Sequence, residues 1–580
     1  MPNLFAMSFE GELAPSFTLR CLEHAGVLPD GWGIGYYPGG EPSAPVLKEP
    51  APPRGSIRSE LVKAWEHLSS SLFVLHVRRA SWGRNTDANT QPFCRSHGGR
   101  DWLIAHGGSL RGRFPLSSPE LFEPVGATDT ELVFCELLSR VAALGKKSLG
   151  EIAHERLLAW FHELNAHGSL SLVLTDGRDL VAYADRDGEG EMHLWELRPP
   201  YGSVMFGDDD LEVDLTRRAV VSRKGVIVSS RPLASSAGPS PLWRKLRPGS
   251  LTVVRQGAIR AELEPPSRTG RPSTMRIRVA RPRIAELRRF SIEHRTAYKY
   301  ALPVERSEHL LRLQPVHDLS QTLEHHELHV SVDGSMHDYE DVFGNRVRRV
   351  SLETSFSELV IHARSIVRLA DVNPLGTGAH ARSTIPLVWM PWQHHMLQPY
   401  LLPPELPESQ LRELANYAMS FVERNDFDLL DTLLDINQTL FREYVYRPGV
   451  TNLLTTAFQT YVERRGVCQD FANLFICLAR LLGVPSRYVC GYVYAGAPSS
   501  GPASARDRQG EASHAWVQAY LPEVGWRGFD PTNGVVPQTE HVRVAVGRNY
   551  IDATPTSGTL YVGGGGESLF VDVQVIPLAE

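Results

Sequence analysis

Three side chains in the second half of the chain are of the types that nucleophilic acyl transfer needs: Cys468, His514 and Asp530. In that chemistry a thiolate attacks an amide carbonyl and an imidazole hands a proton to the departing amine. A carboxylate holds the imidazole in the orientation both steps require. Each residue alone has a plainer reading. A cysteine inside a helix is usually a small core hydrophobe, a histidine on an amphipathic strand is usually structural, and an aspartate before a proline is usually a turn former. Taken in the order Cys, His, Asp, on a helix start, a strand and a strand end, they read as a catalytic set.

The surrounding pattern supplies the elements that must position them. In residues 465–483 the apolar Phe471, Leu474, Phe475, Leu478, Leu481 and Leu482 recur at helical spacing, and Gly483 followed by Pro485 marks a stop. The spacing predicts a buried helix with Cys468 in its first turn, where free backbone N–H groups and the helix dipole favour the thiolate. Downstream, His514, Trp516, Gln518 and Tyr520 alternate with Ala515, Val517, Ala519 and Leu521, which predicts a strand with His514 on one face. A short turn, Pro522-Glu-Val-Gly525, leads into Trp526-Arg-Gly-Phe-Asp530, so Asp530 is expected to end a neighbouring strand within reach of His514.

The motifs Gly466-Val-Cys-Gln-Asp-Phe-Ala472, Gly483-Val-Pro-Ser-Arg-Tyr-Val-Cys-Gly-Tyr492, His514-Ala-Trp516 and Gly525-Trp-Arg-Gly-Phe-Asp-Pro-Thr532 resemble the bacterial transglutaminase-like cysteine enzymes. The resemblance continues through His541-Val-Arg-Val-Ala-Val-Gly-Arg-Asn-Tyr550 and, upstream, through Phe290-Ser-Ile-Glu-His294 and His309-Leu-Leu-Arg-Leu-Gln-Pro315. It implies a papain-like α+β core with Cys468 as nucleophile, His514 as general base and acid, Asp530 as its orienter, and a peptide or protein as substrate. Water as acceptor would make a peptidase or amidase, and an amine would make a transglutaminase. Hydrolysis is favoured because nothing in the sequence marks an amine site. The alternative is a non-catalytic peptide-binding or scaffold protein.

The first half reads as short strands around two helices, over residues 130–140 and 149–161, hence a layered α+β unit. Asp30-Gly-Trp-Gly-Ile-Gly35, His76-Val-Arg-Arg-Ala-Ser81, Asn89-Thr-Gln-Pro-Phe93, Ala105-His-Gly-Gly108 and Thr128-Asp-Thr-Glu131 resemble the class II glutamine amidotransferases, whose fold is the αββα N-terminal-nucleophile hydrolase. That family needs a cysteine after the initiator methionine, and here the residue is Pro2, with no thiol. It also places an asparagine where this chain has Gly107, which removes an oxyanion donor. Arg78 and Asp129 match its contacts to bound glutamine. The expectation is a catalytically dead domain in which Arg78 and Asp129 are either the remnant of a pocket for a glutamine-like ligand or an inherited structural charge pair.

Composition bounds the rest. A net charge of −6 over 580 residues leaves no electrostatic footprint for nucleic acid or an anionic membrane. No apolar run approaches the ~20 residues of a spanning helix, so the chain reads as cytoplasmic. Six scattered cysteines lack zinc-site or disulfide spacing, and histidines such as His325 and His326 lack partners with ligand spacing. No metal and no cofactor is expected. The expected organisation is an amidotransferase-like domain at 1–264, a basic Pro-rich linker at 265–283, an antiparallel β domain at 284–370 and a transglutaminase-like catalytic domain at 371–580. The stretch 499–510 is expected to be a mobile loop beside the active site, and the Gly563–Gly566 run a turn or flexible joint.

Overall fold

The computed structural model describes residues 3–20, 28–64, 68–80, 83–110, 121–216, 222–265, 287–370, 383–494, 513–522 and 524–578. Pro2, most of the linker and the loop at 499–510 lie outside these residues. The chain divides into two compact units, residues 1–275 and 276–580.

In the first unit the strand Asn3–Leu13 is apolar on both faces: Phe5, Met7 and Phe9 pack one way and Leu4 and Ala6 the other, all fully buried. A strand of that pattern has to lie between two packed layers. It lies inside a seven-stranded sheet, flanked by Ser70–Arg78 and Gly225–Ser229. Leu4, Ala6 and Val74 meet Leu103, Ala105 and Val173 of a six-stranded sheet that includes Arg100–Leu110 and Gly168–Thr175. The helices Asp129–Ala143 and His154–Asn165 cover the far side of the six-stranded sheet. Among the described residues, the far side of the seven-stranded sheet is covered by the short helix Ile57–Ala64 and by a four-stranded sheet carrying Phe17, Phe206 and Val213. The second of the two predicted helices begins at His154. Leu149–Glu151 is a separate 3-10 turn because Ile152 and Ala153 are extended, and the Leu149 N–H donates to Asp176 Oδ2 at 2.9 Å.

The second unit is built on a 25-residue strand, Leu287–Leu311. It pairs with Phe356–Ala370 and Arg346–Leu352, and also with two strands from the far end of the chain, Thr556–Gly563 and Glu567–Leu578. Gly563 to Gly566 turn between those two strands with φ of 85°, 98°, 66° and 50°, a run of conformations that side chains disfavour. A boundary at residue 370 therefore divides the chain but not this sheet.

The helix Cys468–Leu481 lies against a four-stranded antiparallel sheet of order Gly525–Phe529, Ser513–Leu521, Ser486–Val493, His541–Gly547. Phe471, Leu474, Phe475 and Leu478 are buried, each contributing about 2 kcal/mol of apolar transfer energy. The helices Glu408–Arg424, Leu429–Glu443 and Ala457–Glu463 enclose its other sides. No helix among the described residues is long and apolar enough to cross a membrane.

Arg464 ties the approach to this helix. It ends Ala457–Glu463 at φ 52°, its carbonyl accepts the Val445 N–H at 2.8 Å, and its guanidinium donates to the Tyr417 and Tyr444 hydroxyls at 2.9 and 2.8 Å. The same group lies 4.9 Å from the ring centres of Tyr417, Tyr444 and Tyr461. Replacing Arg464 by Met, which keeps the bulk, should cost on the order of 3 kcal/mol in urea unfolding through the lost cation–π and hydroxyl contacts. A loss below about 0.5 kcal/mol, the range of an ordinary surface change, would contradict that role.

Candidate active site

The helix start is fixed by Asp470. Its Oδ2 accepts the Val467 N–H at 2.8 Å and the Thr451 hydroxyl at 2.7 Å, satisfying a backbone donor that the helix itself leaves free. Gly466 makes room for it, since a Cβ there would lie 2.8 Å from the Asp470 side chain. Cys468 follows in the first turn, partly exposed to the cavity in front of it.

The strand Ser513–Leu521 pairs antiparallel with Gly525–Phe529, with Val517 opposite Phe529, and this hairpin brings His514 to Asp530. His514 Nε2 lies 2.9 Å from Asp530 Oδ2. His514 and the Cys468 thiol line one cavity, and the thiol is among the neighbours that raise the imidazole. With Nε2 committed to the carboxylate, Nδ1 is the ring nitrogen left for a second partner.

Asp530 has further donors that the sequence reading did not identify. His541 Nε2 lies 3.0 Å from the same Oδ2 and the Asn533 amide donates to it at 2.7 Å, while Oδ1 accepts the N–H groups of Thr532 and Asn533 at 3.0 and 3.2 Å. An ionised carboxylate only accepts, so both imidazoles present N–H to it. Burial alone would raise the Asp530 carboxyl; the charges and hydrogen bonds of His514 and His541 hold it far below the usual carboxylate range. Burial alone would push the His514 imidazole down; Asp530's charge and hydrogen bond, with the Cys468 contact, lift it to about 10.

The Nε2 atoms and a carboxylate oxygen of this trio lie within 4.8 Å of one another, a separation that also suits a metal ion. A cation there would need lone pairs where both imidazoles now offer protons, so metal binding and this hydrogen-bond arrangement exclude each other.

In front of Cys468 and His514 is a cavity of about 630 Å³. Gln469 of the helix, Tyr446 just before it in the chain and Tyr488 of the four-stranded sheet line it on one side, and His294, Thr296, Val571 and Val573 from the long strand and the C-terminal strand. The other four described cysteines are poor competitors for reagents. Burial pushes Cys94 and Cys135 up to about 11, and Cys477 and Cys490 up to about 12.

Comparison with known proteins gives each unit a family. Residues 1–278 match the class-II glutamine amidotransferases, residues 290–368 the bacterial transglutaminase-like N-terminal region, and residues 416–531 the transglutaminase-like superfamily. The "Putative glutamine amidotransferase YafJ" of Escherichia coli K12 is 32% identical over 238 residues, 40% of this chain and 89% of YafJ. "Uncharacterized protein MJ1515" of Methanocaldococcus jannaschii is 30% identical over 260 residues, 44% of this chain and 70% of that protein. The chain belongs to the class-II glutamine amidotransferases through its first domain, and continues into a transglutaminase-like one. The crystal structure of a "putative cysteine protease" from Cytophaga hutchinsonii aligns at a TM-score of 0.40 and 23% identity, over 51% of this chain and 94% of that one.

In the amidotransferase domain, Arg78 ends the strand Ser70–Arg78 and donates through Nη1 to Asn85 Oδ1 at 2.7 Å; Asn85 in turn donates to Asp30 at 3.0 Å. Asp129 opens the helix Asp129–Ala143, its carboxylate accepting the N–H groups of Leu110 at 2.8 Å and Thr130 at 2.9 Å. Both side chains are thus held by the domain's own polar groups. His76, between Arg78 and His106, is pushed down to about 3 by burial first and by those two neighbours next.

The coupling of Asp530 and His514 in the transglutaminase-like domain sets a pH signature. A histidine raised in the folded state stabilises fully below its ordinary value, and that stabilisation is lost as pH rises through about 10; the depressed carboxyl stabilises above its ordinary value and loses this as pH falls. The stability gap between the native protein and Asp530→Asn, read by urea unfolding, should therefore be widest between about pH 4 and 6.5 and shrink towards pH 10. A gap that stays flat over that range would contradict the coupling.

Proposed function

We propose that the transglutaminase-like domain is a cysteine enzyme acting on peptide or isopeptide amide bonds through Cys468, His514 and Asp530. The observation that carries this reading is the buried Asp530 carboxylate 2.9 Å from His514 Nε2, on an imidazole that shares one cavity with a thiol in the first turn of a helix. The thiolate attacks the amide carbonyl, and the backbone N–H of Cys468 donates to the developing oxyanion. His514, held as imidazolium by Asp530, protonates the leaving amine, and the C–N bond breaks to leave a thioester on Cys468. Water, deprotonated by His514, then attacks the thioester; the carboxylic acid departs and the thiolate returns. Gln469 and Tyr446 line the same cavity, and the second oxyanion donor is left unassigned between them and other groups.

Hydrolysis is preferred to amine transfer. Among the described residues that line the cavity around Cys468 the one acid is Asp572, on an exposed stretch of the C-terminal strand, so none of these is a buried carboxylate able to hold an acceptor ammonium. With a peptide library as substrate, Cys468→Ala should abolish both turnover and sensitivity to iodoacetamide. Turnover that persists in that variant would refute the assignment.

The amidotransferase domain is read as non-catalytic. Met1 and Pro2 precede its first strand, Asn3–Leu13, and offer no thiol, and Gly107 offers no side-chain donor. Arg78 and Asp129 are the residues through which it would still hold an amino-acid-like ligand. Full-length Cys468→Ala protein should release no ammonia from glutamine, while glutamine binding by calorimetry should weaken in Arg78→Gln. Ammonia release from that variant would overturn the non-catalytic reading, and equal heats with and without Arg78 would end the pocket.

A further inference from the structure

The cavity that holds Cys468 is bounded in part by the last strand, Glu567–Leu578. This strand pairs with Leu287–Leu311 in a register that sets Val575 opposite Ile292, Val573 opposite His294 and Val571 opposite Thr296. Val573 and Val575 pack on the cluster of Phe290, Ile292, Tyr492 and Val542, so the odd-numbered residues point towards the sheet that bears His514. Leu569 and Val571 continue that row. Even-numbered side chains leave by the other face, where the Gln574 amide lies 3.5 Å from the Asp572 carboxylate.

Leu569 and Val571 line the cavity and are 55% and 46% exposed, so each keeps about half of its apolar surface open to a ligand. The polar side chains beside them are already engaged. His294 Nδ1 lies 2.9 Å from the Tyr492 hydroxyl and its Nε2 2.9 Å from the Thr296 hydroxyl. The Thr556 hydroxyl lies 2.7 Å from that of Tyr298, and the Thr554 hydroxyl donates to the Thr556 carbonyl at 3.2 Å. Among the described residues that line the cavity there is no lysine, arginine or glutamate. A charged group set against this wall would lose water without gaining a partner, whereas an aliphatic group would bury apolar surface on both sides.

We propose that Leu569 and Val571 form a subsite for an uncharged aliphatic side chain of the substrate, so that the amide bonds attacked lie beside residues of the leucine, isoleucine or valine kind. This rests on the reading of Cys468 as the nucleophile and adds to it the class of substrate. The occupant is the substrate, not a second copy of the chain, because the row lines the same cavity as the thiol and the imidazole. A second copy laid over it would close that cavity.

The probe is N-hexyl iodoacetamide, compared with iodoacetamide and with the same alkyl chain ending in a carboxylate. Each is reacted with the full-length protein, and labelling of Cys468 is followed by mass spectrometry and divided by the rate with glutathione. The hexyl group should speed labelling about tenfold or more over iodoacetamide, the worth of an aliphatic group in an apolar pocket, and the carboxylate chain should give no gain. Leu569→Ser combined with Val571→Ser should bring that factor to about threefold or less. Phe570→Ser, on the other face of the same strand, should leave it unchanged. The factor is a ratio at one sulfur, measurable even if Cys468 reacts no faster than glutathione, so this proposal and the catalytic reading fail separately. If the double variant unfolds early, the hexyl and carboxylate chains compared on the native protein carry the test. A factor near unity in the native protein, an equal gain from the carboxylate chain, an equal factor in the folded double variant, or a factor that rises with protein concentration, the mark of a second copy, would overturn the proposal.

Discussion

The transglutaminase-like domain depends on one buried carboxylate. Asp530 is fully enclosed, and an isolated charge in that position would be unfavourable by several kcal/mol. It is tolerated because five donors converge on it: two backbone N–H groups, the Asn533 amide and two imidazoles. The consequence falls on His514. A histidine buried among Trp516 and strand backbone would ordinarily be neutral, yet beside this carboxylate the charged form is favoured. The hydrogen bonds that make the charge tolerable also determine what the imidazole can do.

The geometry around that carboxylate is kept by parts of the chain far apart in sequence. The hairpin over residues 513–529 sets the distance between His514 and Asp530, and Asp470 with Gly466 sets where the helix begins. The wall opposite Cys468 comes from Leu287–Leu311 and from Glu567–Leu578, which pair with each other in antiparallel register. His294 on the long strand bonds the Tyr492 hydroxyl at 2.9 Å, and Phe290, Ile292, Val542 and Val544 share one apolar cluster, so that wall is fastened to the sheet that bears His514. The β region is therefore part of the cavity as well as a structural neighbour of the transglutaminase-like core.

What the sequence made legible follows from periodicity. The helix Cys468–Leu481 and the strand Ser513–Leu521 each bury one continuous face, so their apolar spacing reports element type and places Cys468 and His514 on them. Asp530 is legible because a tight hairpin pairs the strand before it with the one that bears His514. His541 and Asn533 were not, because a second donor to a carboxylate leaves no periodic trace and depends on register across two strands. The return of residues 556–578 to the sheet of Leu287–Leu311 was equally hidden. Those strands are largely exposed, alternate weakly, and pair with residues 245 to 289 positions away. In the amidotransferase domain, the helix read over residues 149–161 looked continuous because Leu149 and Ile152 are apolar at helical spacing, while the Asp176 contact that diverts Leu149 is non-local.

The most direct test is the charge state of the His514 ring, read by 15N NMR of histidine-labelled protein between about pH 6 and 10, with His514→Gln used to assign the signal. The expected result is an imidazolium that persists at about pH 8 in the native protein, in keeping with its elevation to about 10, and a neutral ring at that pH in Asp530→Asn. A His514 ring that is already neutral at about pH 7 in the native protein, or that titrates alike with and without the Asp530 carboxylate, would contradict the claim that this carboxylate governs the site.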